Sequence, residues 1–168
     1  KQKYGIPEGK TMFLSCGGYW PNKKMIELAD AFRQANLKDA VLVTTGYDNR
    51  FDIKPQDSEF VKNIMIDDRD DVMSAIKEAD LYIMHSHREG FGLVLLESML
   101  NKTPWAARNI AGAKLLKDYG FTYDTDEQLL KYLKEFKPAT PLELTGNWNY
   151  VSGNHLIKNT VDDILELV

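Results

Sequence analysis

Two carboxylates eight residues apart, Glu89 and Glu97, flank the turn Gly90-Phe91-Gly92. An apolar run, Leu81-Tyr82-Ile83-Met84, precedes them, and another follows from Leu93 to Leu100. The earlier run is short and uninterrupted, as in a buried strand; the later one has helical length. A strand, a glycine turn and a helix start make an anion site. The first helical N–H groups lack partners within the helix, and the helix dipole is positive there. A glutamate beside such a site accepts hydrogen bonds from hydroxyl groups. Phosphate donors next to hydroxyl acceptors suit a ligand that carries both, such as a sugar nucleotide.

The elements that must position these residues alternate along the chain. Strands are expected at Thr11 to Ser15, Val41 to Thr45, Val61 to Ile66, Leu81 to Ser86, Pro104 to Ala107 and Tyr119 to Tyr123. Helices are expected at Lys23 to Ala35, Asp70 to Ala79, Gly92 to Leu100, Glu127 to Phe136 and Asn154 to Val168. Met25, Leu28, Ala29 and Phe32 recur at helical spacing, and Asp70 or a neighbour caps the second helix. Short apolar strands alternating with helices imply an α/β fold, a Rossmann-like parallel sheet with helices on both faces. Such sheets bind ligands beyond the carboxyl ends of their strands. Gly17-Gly18, Gly46 and Gly90/Gly92 all follow expected strands, which puts three glycine turns on one rim. Residues 137–153, with two prolines and two glycines, read as a connector to the last helix.

With 168 residues, one domain is the default, and a chain of this size buries about 68–70% of its unfolded surface. Apolar residues make up 43% and charged residues 27%, as in a globular protein. The net charge of −4 argues against a nucleic-acid partner and against strong attraction to anionic membrane. Cys16 is the single cysteine, so no intrachain disulfide forms, which fits a reducing compartment. No apolar run approaches the ~20 residues of a membrane span, and the start is not a signal peptide. The chain begins at Lys1 rather than Met, as a piece of a longer protein would.

Glu89-Gly90-Phe91-Gly92 followed by Glu97 resembles the glutamate-x7-glutamate signature of retaining glycosyltransferases of family 4, which have the GT-B fold. Lys3-Tyr4-Gly5-Ile6-Pro7 resembles the start of that family's carboxyl-terminal domain, and Gly17 through Phe32 its first glycine loop and helix. Ala79-Asp80-Leu81, Asn101-Lys102-Thr103-Pro104 and Asn109-Ile110-Ala111-Gly112 are similar to its flanking segments. The resemblance covers roughly residues 1–136. It implies a donor-binding domain over 1–136, one half of a GT-B architecture. Residues 137–168 would be a connector and terminal helix, packing on that domain or on an amino-terminal one.

By that resemblance, Glu89 contacts hydroxyls of the donor sugar and Glu97 holds the ribose hydroxyls. Backbone N–H groups around Gly90, Phe91, Gly92, Leu93 and Val94 face sugar and phosphates. Gly17, Gly18 and Lys23 serve the diphosphate, and Glu89 and Lys23 carry the catalytic roles. The chain departs from the pattern twice. Gly18 stands where the family usually has an arginine, so one cation on the leaving group is missing, which weakens its stabilisation; Lys24 or Arg69 are candidate substitutes. His85 stands where the family often has proline.

Plainer roles compete for other residues. His85 and His87 form a His-x-His pair with no evident third metal ligand. Asp67-Asp68-Arg69-Asp70-Asp71 precedes a helix, where capping explains it better than metal binding. Its loop, around Ile66 to Arg69, is expected near the base. Tyr47 either stacks on a ligand or covers the rim, and Trp20, Trp105 and Trp148 read as packing residues.

The leading expectation is a hexosyltransferase of carbohydrate biosynthesis that retains configuration and needs no metal or other cofactor. Its donor is a UDP- or GDP-sugar. Its acceptor, a glycan, lipid or small molecule, is held by an amino-terminal domain outside this chain. The isolated domain is expected to bind donor weakly and transfer nothing. The expected location is cytoplasmic, or the inner face of a membrane through the rest of the protein. The alternatives are a non-catalytic sugar-nucleotide or protein interaction module, and another GT-B relative such as an epimerase.

Overall fold

A computed structural model describes residues 1–46, 55–66 and 68–154 of this chain. The elements run β1 (Thr11–Cys16), α1 (Met25–Ala35), β2 (Ala40–Thr45), β3 (Val61–Ile64), α2 (Arg69–Glu78), β4 (Leu81–Met84), α3 (Leu93–Leu100), β5 (Trp105–Arg108), α4 (Ala111–Leu115), β6 (Phe121–Tyr123), α5 (Asp126–Glu135) and α6 (Pro141–Asn154). The strands form one parallel sheet in the order β3-β2-β1-β4-β5-β6. Connections lead outward from β1 in one direction and from β4 in the other. The gap between the carboxyl ends of β1 and β4 is therefore the switch point where such sheets hold ligands.

Alternation along each strand divides the core in two. Met12, Leu14, Val43, Tyr82 and Met84 face one side, covered by Ile76 of α2, Leu95 and Met99 of α3, and Val151 of α6. Phe13, Leu42, Leu81 and Ile83 face the other, covered by Leu28 and Phe32 of α1 and Leu129 and Leu133 of α5. Helices thus lie on both faces, as the alternating pattern predicts.

Several boundaries differ from the sequence reading, β3 ending at Ile64 rather than Ile66 among them. Lys23 is not the first residue of α1. Pro21–Lys23 forms a separate 3-10 turn, and Lys24, at φ 56°, breaks the chain's direction before α1 starts at Met25. The strand expected through Ser86 stops at Met84, where its pairing with β5 ends. Tyr119, the first residue of the expected last strand, instead ends a 3-10 turn at Lys117–Tyr119, and β6 starts at Phe121. No helix was expected between Pro104 and Glu127, yet Ala111–Leu115 forms the short helix α4.

The connector expected at residues 137–153 is corrected outright, because it carries the 14-residue helix α6. Thr140 and Glu143 explain it. The Glu143 carboxylate accepts from the Thr140 N–H at 2.8 Å, the reciprocal bond of a capping box, and Pro141 suits a first helical position. α6 packs on the body through buried Val151, a Tyr119–Tyr150 stack at 4.2 Å and an Asn147 side-chain bond to the Tyr119 carbonyl. The helix expected from Asn154 to Val168 lies outside the described residues beyond Asn154.

Candidate functional site

A cavity of about 330 Å³ opens at the carboxyl ends of β1, β2 and β4. Its floor lies where β1 and β4 part. Their pairing is limited to Phe13 with Leu81 and Leu14 with Tyr82. Beyond it the Cys16 N–H donates to the buried Tyr82 hydroxyl at 3.3 Å, and that hydroxyl donates to the Cys16 carbonyl at 3.2 Å. Both backbone groups of Cys16 are thereby satisfied on the side where β4 no longer pairs with β1. Burial and the Glu97 charge push the Cys16 thiol up, so it stays protonated.

Glu89 stands in the loop after β4 and lines the cavity. The Ser86 hydroxyl donates to its Oε1 at 2.8 Å, and Lys23 forms an ion pair with the same oxygen. Only 17% of the Glu89 side chain and 25% of the Lys23 side chain are exposed, so the pair is largely desolvated. The 3-10 turn aims Lys23 here. Had α1 begun at Lys23, the lysine would follow the helix surface.

Glu97 lines the opposite wall from α3, more than one turn beyond Gly92. An Arg69 guanidinium N–H donates to its Oε1 at 2.5 Å. Arg69 opens α2, which is capped by Asp68 accepting from the Asp70 and Asp71 N–H groups at 2.8 and 3.2 Å. Asp68 therefore caps a helix, the plainer of its two expected roles, while Asp67 falls outside the described residues. Ile66, Asp68 and Arg69 all line the cavity, as does Gly46; Tyr47 lies outside the described residues.

Of the ten expected site residues, the fold brings Gly17, Lys23, Glu89, Val94 and Glu97 to the cavity wall. Gly18, Gly90, Phe91, Gly92 and Leu93 stand back from it. Gly92 caps α3 at φ 78°, a left-handed conformation costly to any residue with a Cβ, and an added Cβ would press on the Met84 sulfur at 3.2 Å. No side chain caps the first turn of α3, where the Leu95 N–H bonds the Gly92 carbonyl at 2.9 Å. Gly90 has neither a positive φ nor a neighbour within 4 Å of an added Cβ. Gly18 is confined instead by contact: an added Cβ falls within 2.6 Å of the Trp20 ring. An arginine at this position would need Trp20 to move.

The strand-end histidines part company. His87 is exposed, whereas His85 is buried. Arg108 reaches the His85 ring at Nε2 from 3.2 Å and the His85 carbonyl at the same distance. A guanidinium only donates, so Nε2 accepts and Nδ1 carries the proton that faces the Tyr123 hydroxyl at 2.8 Å. Burial first, then the Arg108 charge, lower the His85 pKa to about 4. Arg108 is in turn paired with Asp126 of α5. Among the described residues, no group of three His, Cys, Asp or Glu side chains is placed to hold a metal. Arg108 and Asp126 escaped the sequence reading because nothing local links them to His85.

Residues 1–137 match the family model described as glycosyl transferases group 1. Over 130 residues the chain is 29% identical to an N-acetyl-alpha-D-glucosaminyl L-malate synthase of Bacillus anthracis, covering 73% of this chain and 33% of that protein. The chain therefore spans about a third of the curated relative it matches. Among solved structures, the C-terminal domain of a glycosyl transferase group 1 family protein (LpcC) from Francisella tularensis superposes with a TM-score of 0.75 at 22% identity, covering 93% of this chain and 91% of that one. A sucrose-phosphate synthase from Thermosynechococcus elongatus superposes with a TM-score of 0.76 at 18% identity, covering 99% of this chain and 46% of that one. The shared fold is the Rossmann-like half of a GT-B glycosyltransferase.

Proposed function

Because this chain belongs to the glycosyl transferases group 1 family, we propose that it is the donor-binding domain of a retaining, metal-independent glycosyltransferase. The donor is a UDP- or GDP-sugar, and an amino-terminal domain holds the acceptor. The observation that carries this reading is the convergence of Lys23, Glu89 and Glu97 on one cavity at the switch point of the sheet. Glu97 takes the ribose diol, which a carboxylate accepts from two hydroxyls at once. Lys23 and the leading amides of α3 take the diphosphate, where negative charge grows as the glycosyl bond breaks. Glu89, held by Ser86 and Lys23, orients the sugar. Residues 1–136 form the donor domain, and α6 packs on it. The setting is cytoplasmic.

Calorimetric titration of the 168-residue chain with UDP, GDP and their hexose conjugates tests the assignment. One series binds, and Glu97→Ala weakens it at least about tenfold, the scale of one charge-assisted hydrogen bond. Binding untouched by Glu97→Ala sinks the reading. The isolated chain transfers nothing, so glycosyl transfer by it alone would overturn the two-domain part.

Gly18 favours a second reading, a sugar-nucleotide module without catalysis, since the cation expected there is replaced by contact with Trp20. Donor hydrolysis or transfer by the intact protein separates the two: turnover excludes the module.

A further inference from the structure

The exit of β4 is held from behind the cavity. Pairing of β4 with β5 stops at Met84 and Ala107, so the next carbonyl of that chain, His85, lies past the ladder. The Arg108 Nε–H donates to it at 3.2 Å. The same guanidinium donates to the His85 ring at 3.2 Å and to the Asp124 carbonyl at 3.3 Å, and it pairs with Asp126 at the start of α5. Four partners fix the planar fork in one orientation. The Arg108 side chain is 15% exposed, so these bonds form largely away from water.

The carbonyl that Arg108 holds belongs to the peptide joining His85 to Ser86. That peptide is planar, so pinning its oxygen fixes the direction in which the Ser86 side chain leaves the backbone. Ser86 is 2% exposed, and its hydroxyl donates to Glu89 Oε1 at 2.8 Å. Lys23 pairs with the same oxygen, which leaves Oε2 for a ligand. We propose that Arg108 is a positioning residue for Glu89: by pinning the His85–Ser86 peptide, it fixes how the Glu89 carboxylate meets the hexose of the donor. The proposal rests on the reading above in which Glu89 orients the sugar. Arg108 does not itself line the cavity, and among the described residues none of its bonds reaches α3, which carries Glu97. Its influence is therefore confined to the sugar end of the ligand. A residue that served folding alone would weaken every part of the ligand equally.

The test measures binding of UDP, GDP and their hexose conjugates to the 168-residue chain by calorimetry. The variants are Arg108→Lys, Asp126→Asn, Glu89→Ala and the double variant Arg108→Lys/Glu89→Ala, each checked for folding by thermal melting. Arg108→Lys keeps a cation beside Asp126, but a point charge cannot hold the carbonyl and the ring together. Should that variant fail to fold, Asp126→Asn carries the same prediction, since it loosens Arg108 by altering a side chain that is 40% exposed. In the series that binds, Arg108→Lys weakens the hexose conjugate about fivefold and the parent diphosphate less than about twofold. In the Glu89→Ala background the same change costs the conjugate nothing further, because the contact it serves is gone. Equal losses for conjugate and parent diphosphate would make Arg108 a structural residue only and overturn the proposal. So would a loss that persists undiminished without Glu89, and so would full-strength conjugate binding by a folded variant. Glu89→Ala that spares the hexose conjugate fells the reading of Glu89 together with the proposal. A wild type that binds neither series fells the donor-domain reading as a whole.

Discussion

At the scale of single residues, Gly18 is a position where size decides. A methyl group there would fall within 2.6 Å of the Trp20 ring, so it overlaps an indole. Gly18→Ala is expected to cost about 1–3 kcal/mol in denaturant unfolding, the range for forced overpacking. Adding Trp20→Ala should recover part of that loss, because the two changes share one contact and are not additive. A cost that persists in the double variant would place the strain elsewhere. Gly90 makes the contrast, with open space where a Cβ would go. Glu89 and Glu97 were legible in the sequence because the strand, turn and helix that carry them are local, whereas Lys23 was named by the family resemblance. Arg69 was only a candidate there. Its meeting with Glu97 depends on how α2 packs beside α3, across 28 residues of chain.

Elements are tied together by groups that the sequence hides. His85 at the end of β4, Arg108 at the end of β5, Tyr123 at the end of β6 and Asp126 on α5 form one buried or half-buried network. It holds the loop that carries Ser86 and Glu89. His85 has a folded pKa of about 4 against an ordinary 6.5. The unfolded chain therefore takes up the proton first as pH falls. The stability this site contributes is whole above pH 6.5 and is lost between pH 6.5 and 4, up to about 3 kcal/mol. His85→Gln should unfold more easily at pH 7 yet show a flatter dependence across that window. An unchanged slope would mean that His85 is not the titrating group.

α6 belongs to the same scale. Its capping box was present in the sequence at Thr140 and Glu143, but Pro138, Pro141, Gly146 and Gly153 disguised a helix as a connector. α4, at five residues, is too short to show a helical period. Val151 is the buried contact of α6, so Val151→Ala should cost about 2 kcal/mol for two lost methyl groups. Amide exchange should quicken in α6 and not in α5, which packs on the opposite face.

For the whole molecule, a parallel sheet with helices on both faces followed from alternation alone, whereas the strand order and the cavity's exact lining did not. The sheet places Gly17, Gly46 and the loop after β4 on one rim, as the positions of their glycines implied. It also sets the turn residues 90–93 back from the wall, which no pattern of types and spacing reveals. If that rim takes a nucleoside diphosphate, saturation should stabilise the folded chain. At a ligand concentration 100-fold above Kd the gain is about 2.7 kcal/mol, read as a rise in melting temperature. Glu97→Ala at the same ligand concentration should show a smaller rise.

Tyr82 adds a mechanical consequence. Its ring is a rigid rod of fixed length set between two diverging strands, with both ends of the Cys16 peptide clasped at its tip. The floor of the crevice is thus gauged by the fixed length of the ring and the two hydrogen bonds at its tip. Tyr82→Phe keeps the rod but removes the clasp. The floor should then yield to hydrostatic pressure, with amide shifts at Cys16 and Gly17 moving more steeply with pressure than in the wild type.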